Sequence, residues 1–105
     1  MIYEQITLHV VPENFEEFKK IFGDEVLPLR QKYTTLGGQW QTIIGTKRPV
    51  EITTLWVYDD MAHLDRVRKS WSEDEEAKKA VAKIRPFILD LSSKVLTPLP
   101  RSPLQ

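Results

Sequence analysis

The run Val50–Tyr58, V-E-I-T-T-L-W-V-Y, constrains this chain more than any other stretch. It holds no Gly, Pro or Asn and is rich in β-branched and aromatic residues, which suit a pleated, half-buried backbone. It reads as a strand. Its alternate positions form two sets, Ile52, Thr54, Trp56 and Tyr58 against Glu51, Thr53, Leu55 and Val57. Neither set is plainly solvent-like. A strand covered on both faces lies centrally in its sheet, and the other elements pack around it.

Upstream, residues 2–11 alternate: Ile2, Ile6, Leu8 and Val10 share one face and Tyr3, Gln5, Thr7 and His9 the other. That is a strand, ended by Pro12. Glu4 is a carboxylate within the apolar set, placed either at a sheet edge reaching water or in a polar pocket, because an unpaired buried charge is costly. Asn14 with Glu17 reads as an N-cap with a capping-box variant. Phe15, Phe18, Phe22 and Val26 follow at helical spacing. Pro28 is expected to kink this helix, or to end one segment and begin another, with Leu29–Tyr33 as an extension and Gly37-Gly38 as the break.

Gln39–Ile44 reads as a second strand, and Gly45–Pro49 as a turn with Lys47 and Arg48 at its tip, so strands two and three form a hairpin. Asp59 or Asp60 caps a helix carrying Met61, Leu64, Val67 and Trp71 on one stripe. Ser72-x-x-Glu75 reads as a capping box for a further helix with Ala77, Ala80, Val81 and Ile84 inward. Asp74–Lys78 and Glu75–Lys79 are favourable i,i+4 pairs. Phe87–Thr97 alternates as a fourth strand, and Pro98, Pro100 and Pro103 impose a stiff, extended tail.

The order predicts an α+β fold: a ferredoxin-like βαββαβ arrangement with an extra helix segment and an antiparallel four-stranded sheet, in a single domain over 1–105 with a proline-rich tail at 98–105. Helices cover one face of such a sheet, yet its strands carry apolar or aromatic residues on both. A second copy, sheet against sheet, is the economical cover, which predicts a homodimer enclosing a space. The chain has no cysteine, which excludes disulfides, thiolate metal sites and cysteine nucleophiles. Fifteen basic residues balance 15 acidic ones, so nothing electrostatic draws the chain to nucleic acid or an anionic membrane. No apolar run approaches the ~20 residues that span a bilayer, and Met1-Ile2-Tyr3-Glu4 does not read as a secretion signal; the expected location is cytoplasmic. His9 and His63 lack metal-ligand spacing, and the glycines fit no phosphate-binding loop, so no metal and no cofactor is expected.

In this order the chain resembles the NIPSNAP family of the dimeric α/β-barrel fold. The resemblance is carried by Met1-Ile2-Tyr3-Glu4, Pro12, Leu27-Pro28, Leu36-Gly37, Ile44-Gly45, Leu55-Trp56-Val57-Tyr58 and the tail Pro98-x-Pro100-x-Ser102-Pro103. It implies the sheet-to-sheet dimer and no established reaction. Fold relatives include cofactor-independent monooxygenases that oxidise aromatic substrates, an analogy of fold alone. The chain departs from the family pattern at Ile6, where a basic residue is common, at Ile43 (a carboxylate), at Thr54 (a histidine), and near Leu91 and Ser92 (Gln or Glu). If these positions face the barrel interior, its cavity is less polar than is usual.

Trp40, Trp56 and Tyr58 are the ligand-binding candidates, since aromatic walls with one polar handle each suit a flat apolar molecule; their other reading is core packing between sheets. Glu4 is the candidate catalytic base, if burial raises its pKa. Arg30, Tyr33 and Arg85 are candidates for a cavity mouth that grips an acidic group, or else surface charge. His9 and His63 read as structural or exposed. Three functions remain open: a binding protein taking a small apolar or aromatic molecule, a cofactor-independent monooxygenase or isomerase using Glu4, and a protein-interaction module using the dimer surface and tail.

Overall fold

The computed structural model describes residues 1–46 and 50–105. Four antiparallel strands, β1 (Ile2–Val10), β2 (Thr35–Gln41), β3 (Glu51–Tyr58) and β4 (Ile88–Leu96), form one sheet in the order β2-β3-β1-β4. The strand read first from the sequence is central, as expected. It pairs with β1 from Ile2↔Tyr58 to His9↔Glu51 and with β2 on its other side. The helical layer comprises α1 (Phe15–Ile21), α2 (Leu27–Arg30), α3 (Met61–Glu73) and α4 (Glu75–Ile84). Sheet plus helices makes two layers within a slab 19 Å thin.

The helix-facing set of the sheet is Ile2, Glu4, Ile6, Leu8 and Val10 with Ile52, Thr54, Trp56 and Tyr58. All the β3 members of this set are buried, and Phe18, Leu64, Ala80 and Ile84 press on them from the helices. The opposite face carries Tyr3, Gln5, Thr7 and His9 beside Glu51, Thr53, Leu55 and Val57, and no helix covers it.

Several local expectations are corrected. The first helix does not stop at Pro28, which is the second residue of a new segment, α2. It widens just before it, over Phe22–Val26, where the Leu27 N–H reaches back five residues to the Phe22 carbonyl. That π-type turn relieves the carbonyl four residues back, which a proline ring otherwise strikes. Phe18 and Phe22 stay stacked, ring centroids 5.1 Å apart. Asn14 makes no side-chain cap. Gly37-Gly38 does not break a helix but lies inside β2, which starts at Thr35 and ends at Gln41, before the predicted Ile44. A bulge separates Leu36 from Gly38, and the missing side chain at Gly38 leaves room for the Trp40 ring, 2.6 Å from where a Cβ would stand. Ile43 and Ile44 project outside any strand, 94% and 90% exposed. The turn tip assigned to Lys47 and Arg48 lies outside the described residues.

Asp60 caps α3, accepting from the His63 N–H at 2.8 Å. The cap of α4 is Asp74 rather than Ser72, accepting from the Ala77 N–H at 3.0 Å. Asp74 is also bound by the Tyr33 hydroxyl, and Lys78 pairs with Glu75 at 3.2 Å instead of with Asp74. The tail turns back at Arg101, the one non-glycine residue with positive φ among the described residues (74°). Its end meets the uncovered face, where Tyr3 donates to the Gln105 carbonyl at 3.2 Å.

Candidate functional site

A cavity of about 170 Å³ lies between the helical layer and the sheet. Ile6, Leu8, Thr54 and Trp56 form its floor, Phe22, Val26 and Arg30 one wall, and Trp71, Val81 and Ile84 the other. Ile88 and Leu91 lie at the β4 edge. Leu91 pairs with Leu8 and so faces the helix side, yet it is 60% exposed, because the helical layer stops short of β4. The cavity opens there. Ile6, Thr54 and Leu91 all line it. The Thr54 hydroxyl accepts from the Trp56 indole N–H, 3.1 Å away, which takes up the one donor of the indole.

One end of the cavity is charged. Arg30, from α2, is only 8% exposed and donates through one terminal nitrogen to the Tyr58 hydroxyl at 2.8 Å and to Glu4 Oε1 at 3.3 Å. Tyr58 donates to the same Glu4 oxygen at 3.0 Å. Arg68, on α3, reaches down from a half-exposed position to Glu4 Oε2 at 2.8 Å. The Arg30 guanidinium stands 5.0 Å from the Trp71 ring centroid and 5.9 Å from that of Trp56, within cation–π range of both. Burial raises the Tyr58 pKa, so its phenol stays neutral, and the hydrogen bond to Glu4 raises that of Arg68.

The structure brings together Glu4, Arg30, Trp56 and Tyr58 of the predicted residues and separates the rest. Trp40 pairs with Thr53, which puts it on the opposite face of the sheet, 55% exposed. Tyr33 is committed to Asp74 and meets Trp71 edge-on, ring centroids 6.4 Å apart, outside the cavity lining. Arg85 is exposed, in a 3₁₀ turn at the end of α4. The cavity lies within a single chain, between its helices and its sheet. Both oxygens of Glu4, the candidate base, are occupied by donors.

Sequence reasoning missed Trp71 and Arg68 as site residues. Trp71 shares the helical stripe with Leu64 and Val67, which reads as core. Arg68 falls between Arg66 and Lys69, in a basic cluster spread around a helix and offset by nearby acids; only the contact with an acid 64 residues away distinguishes it. His63, read as exposed, is half-buried, stacked edge-on against Tyr58 at 5.5 Å.

On the uncovered face, His9 sits between Asp90 (2.5 Å) and Glu51 (2.8 Å), and Thr42 donates to the other Glu51 oxygen at 2.6 Å. The bond to Asp90, aided by that to Glu51, raises the His9 pKa. The Thr42 bond, aided by His9, lowers that of Glu51. Among the described residues no cluster of three or more His, Cys, Asp or Glu can hold a metal ion. No helix of these residues is long and apolar enough to cross a membrane.

The NIPSNAP family model matches residues 3–103. The chain belongs to the NIPSNAP family. Among solved structures, an uncharacterized NIPSNAP domain protein from Burkholderia xenovorans is 28% identical with a TM-score of 0.90, over 98% of this chain and 99% of that one. Protein Atu4242 from Agrobacterium tumefaciens gives 24% identity and a TM-score of 0.90, with each chain covered in full (100%). An antibiotic biosynthesis monooxygenase shares the fold at 17% identity and a TM-score of 0.67, over 95% of this chain and 100% of that one. No curated protein matches the chain.

Proposed function

We propose that this NIPSNAP protein binds a small apolar or aromatic molecule in the cavity between its helices and sheet, and works as a homodimer through the uncovered sheet face. The observation that carries the first part is the cavity itself, walled by Trp56 and Trp71 with apolar side chains completing the lining. Its volume of about 170 Å³ is close to that of cavities (about 150 Å³) that take up benzene. The dimer is supported by exposed apolar side chains: Trp40 and Leu96 on the uncovered face, and Ile43 and Ile44 just beyond the end of β2.

A second reading, an enzyme of the cofactor-independent monooxygenase or isomerase kind, is favoured by the fold likeness to the antibiotic biosynthesis monooxygenase. It requires Glu4 to shed a donor before it accepts a proton. Its engagement with two arginines supports the binding reading instead, with Glu4 as the residue that positions Arg30.

Native mass spectrometry of freshly purified protein tests the proposal. A dimer that carries a discrete extra mass, or takes up toluene on exposure, agrees with it. A monomer contradicts the dimer, and protein that holds no mass and takes up no toluene contradicts the cavity reading.

A further inference from the structure

Arg30 Nε is the one buried side-chain polar atom without a hydrogen-bond partner among the described residues. Leaving a buried donor unpaired costs free energy, and more so on a charged group. This donor belongs to a residue in the cavity wall. The charge around it is also unbalanced: Arg30 and Arg68 both bond to the single carboxylate of Glu4, Asp65 acts on Arg68 only through its field, and Tyr58 adds no charge. Arg68 can meet water with its half-exposed side chain, whereas Arg30 cannot. The apolar lining begins beside it, at Trp56 and Trp71.

We propose that the occupant of this cavity is a small monocarboxylic acid with an aromatic or branched hydrocarbon body, its carboxylate paired with the Arg30 guanidinium and its body lying along the apolar lining beside Trp56 and Trp71. One negative charge supplies the counter-charge that Glu4 alone divides between the two guanidiniums. A carboxylate matches guanidinium geometry, and the indole faces suit a flat ring. The inference rests on the reading of the cavity as a ligand site and adds to it the chemical class of the ligand.

The test is calorimetric titration of the full-length protein at neutral pH with three probes of one shape: benzoate, benzamide and toluene. Benzoate is expected to bind about 10- to 100-fold more tightly than either neutral probe, the worth of one charge-assisted hydrogen bond. Arg30→Met is expected to abolish that preference, so that benzoate binds no more tightly than toluene to the variant. If toluene and benzamide bind as well as benzoate, the acid assignment is overturned and the cavity reading stands. If none of the three binds, both are overturned. Should Arg30→Met fail to fold, the ranking of the three probes on the unaltered protein decides.

Discussion

Glu4→Gln isolates the charge that holds the cavity end together. Glu4 is 4% exposed and Arg30 8%, so the substitution leaves a guanidinium out of reach of water with neutral acceptors only. Breaking a buried ion pair from one side costs about 3–5 kcal/mol. Glutamine keeps the shape and one amide oxygen, and Arg68 can turn its half-exposed head to solvent, so the cost falls at the lower end, ~3 kcal/mol. Domains of this size are stable by about 5–15 kcal/mol, so the loss is large, corresponding to a fall in Tm of roughly 10–20 °C. Arg30→Met costs less, because Glu4 retains Arg68. Together the two changes remove both halves of the pair, so the double variant is expected to be more stable than the sum predicts by about 1–3 kcal/mol. Urea denaturation followed by circular dichroism, at one protein concentration, measures all four proteins. Glu4→Gln within about 0.5 kcal/mol of the parent, or strict additivity, refutes the account of this cluster.

Other perturbations separate the elements. Phe18→Ala opens the core against the sheet and is expected to cost about 3–5 kcal/mol in the same assay, whereas Ile43→Ser changes intrinsic stability by under about 0.5 kcal/mol and weakens any dimer seen by sedimentation. Gly38→Ala drives a Cβ into the Trp40 ring, 2.6 Å away; because that ring is exposed it swings aside, so stability falls by under about 1 kcal/mol while Trp40 fluorescence shifts. His9 has a raised folded pKa, so its pairing stabilises fully below the unfolded value and is lost as pH rises through the folded value, above 6.5. Glu51, with a lowered pKa, contributes above its unfolded value of 4.5 and loses this as pH falls through the folded value. Stability is thus expected to rise when pH drops from 8 to 6, and His9→Gln to flatten that rise.

The strands were legible because burial on one face imposes a period of two: β1, β3 and β4 stand within a residue or so of their predicted places. β2 was misplaced because its glycines signal a break to local reasoning, whereas the bulge and the Trp40 ring make use of their missing side chains. The cap of α4 was misassigned because Ser72-x-x-Glu75 and Asp74 are both good local candidates. The bond to Tyr33, 41 residues away, favours Asp74. The site was legible as a set of residue types, not as a place. Alternation separates the two faces of a strand without saying which face the helices cover, so Trp40 was grouped with Trp56 and Tyr58 when they lie on opposite sides. The ion cluster joins three segments distant in the chain, and no spacing rule announces it.

The three tryptophans make the central claim directly measurable, because Trp56 and Trp71 wall the cavity and Trp40 lies across the sheet. In an ¹H–¹⁵N spectrum each indole N–H gives one signal, and toluene is the probe to add. Binding within the cavity predicts that the Trp56 and Trp71 signals move with saturation while that of Trp40 stays. Movement of Trp40 alone, or of none of the three, contradicts it.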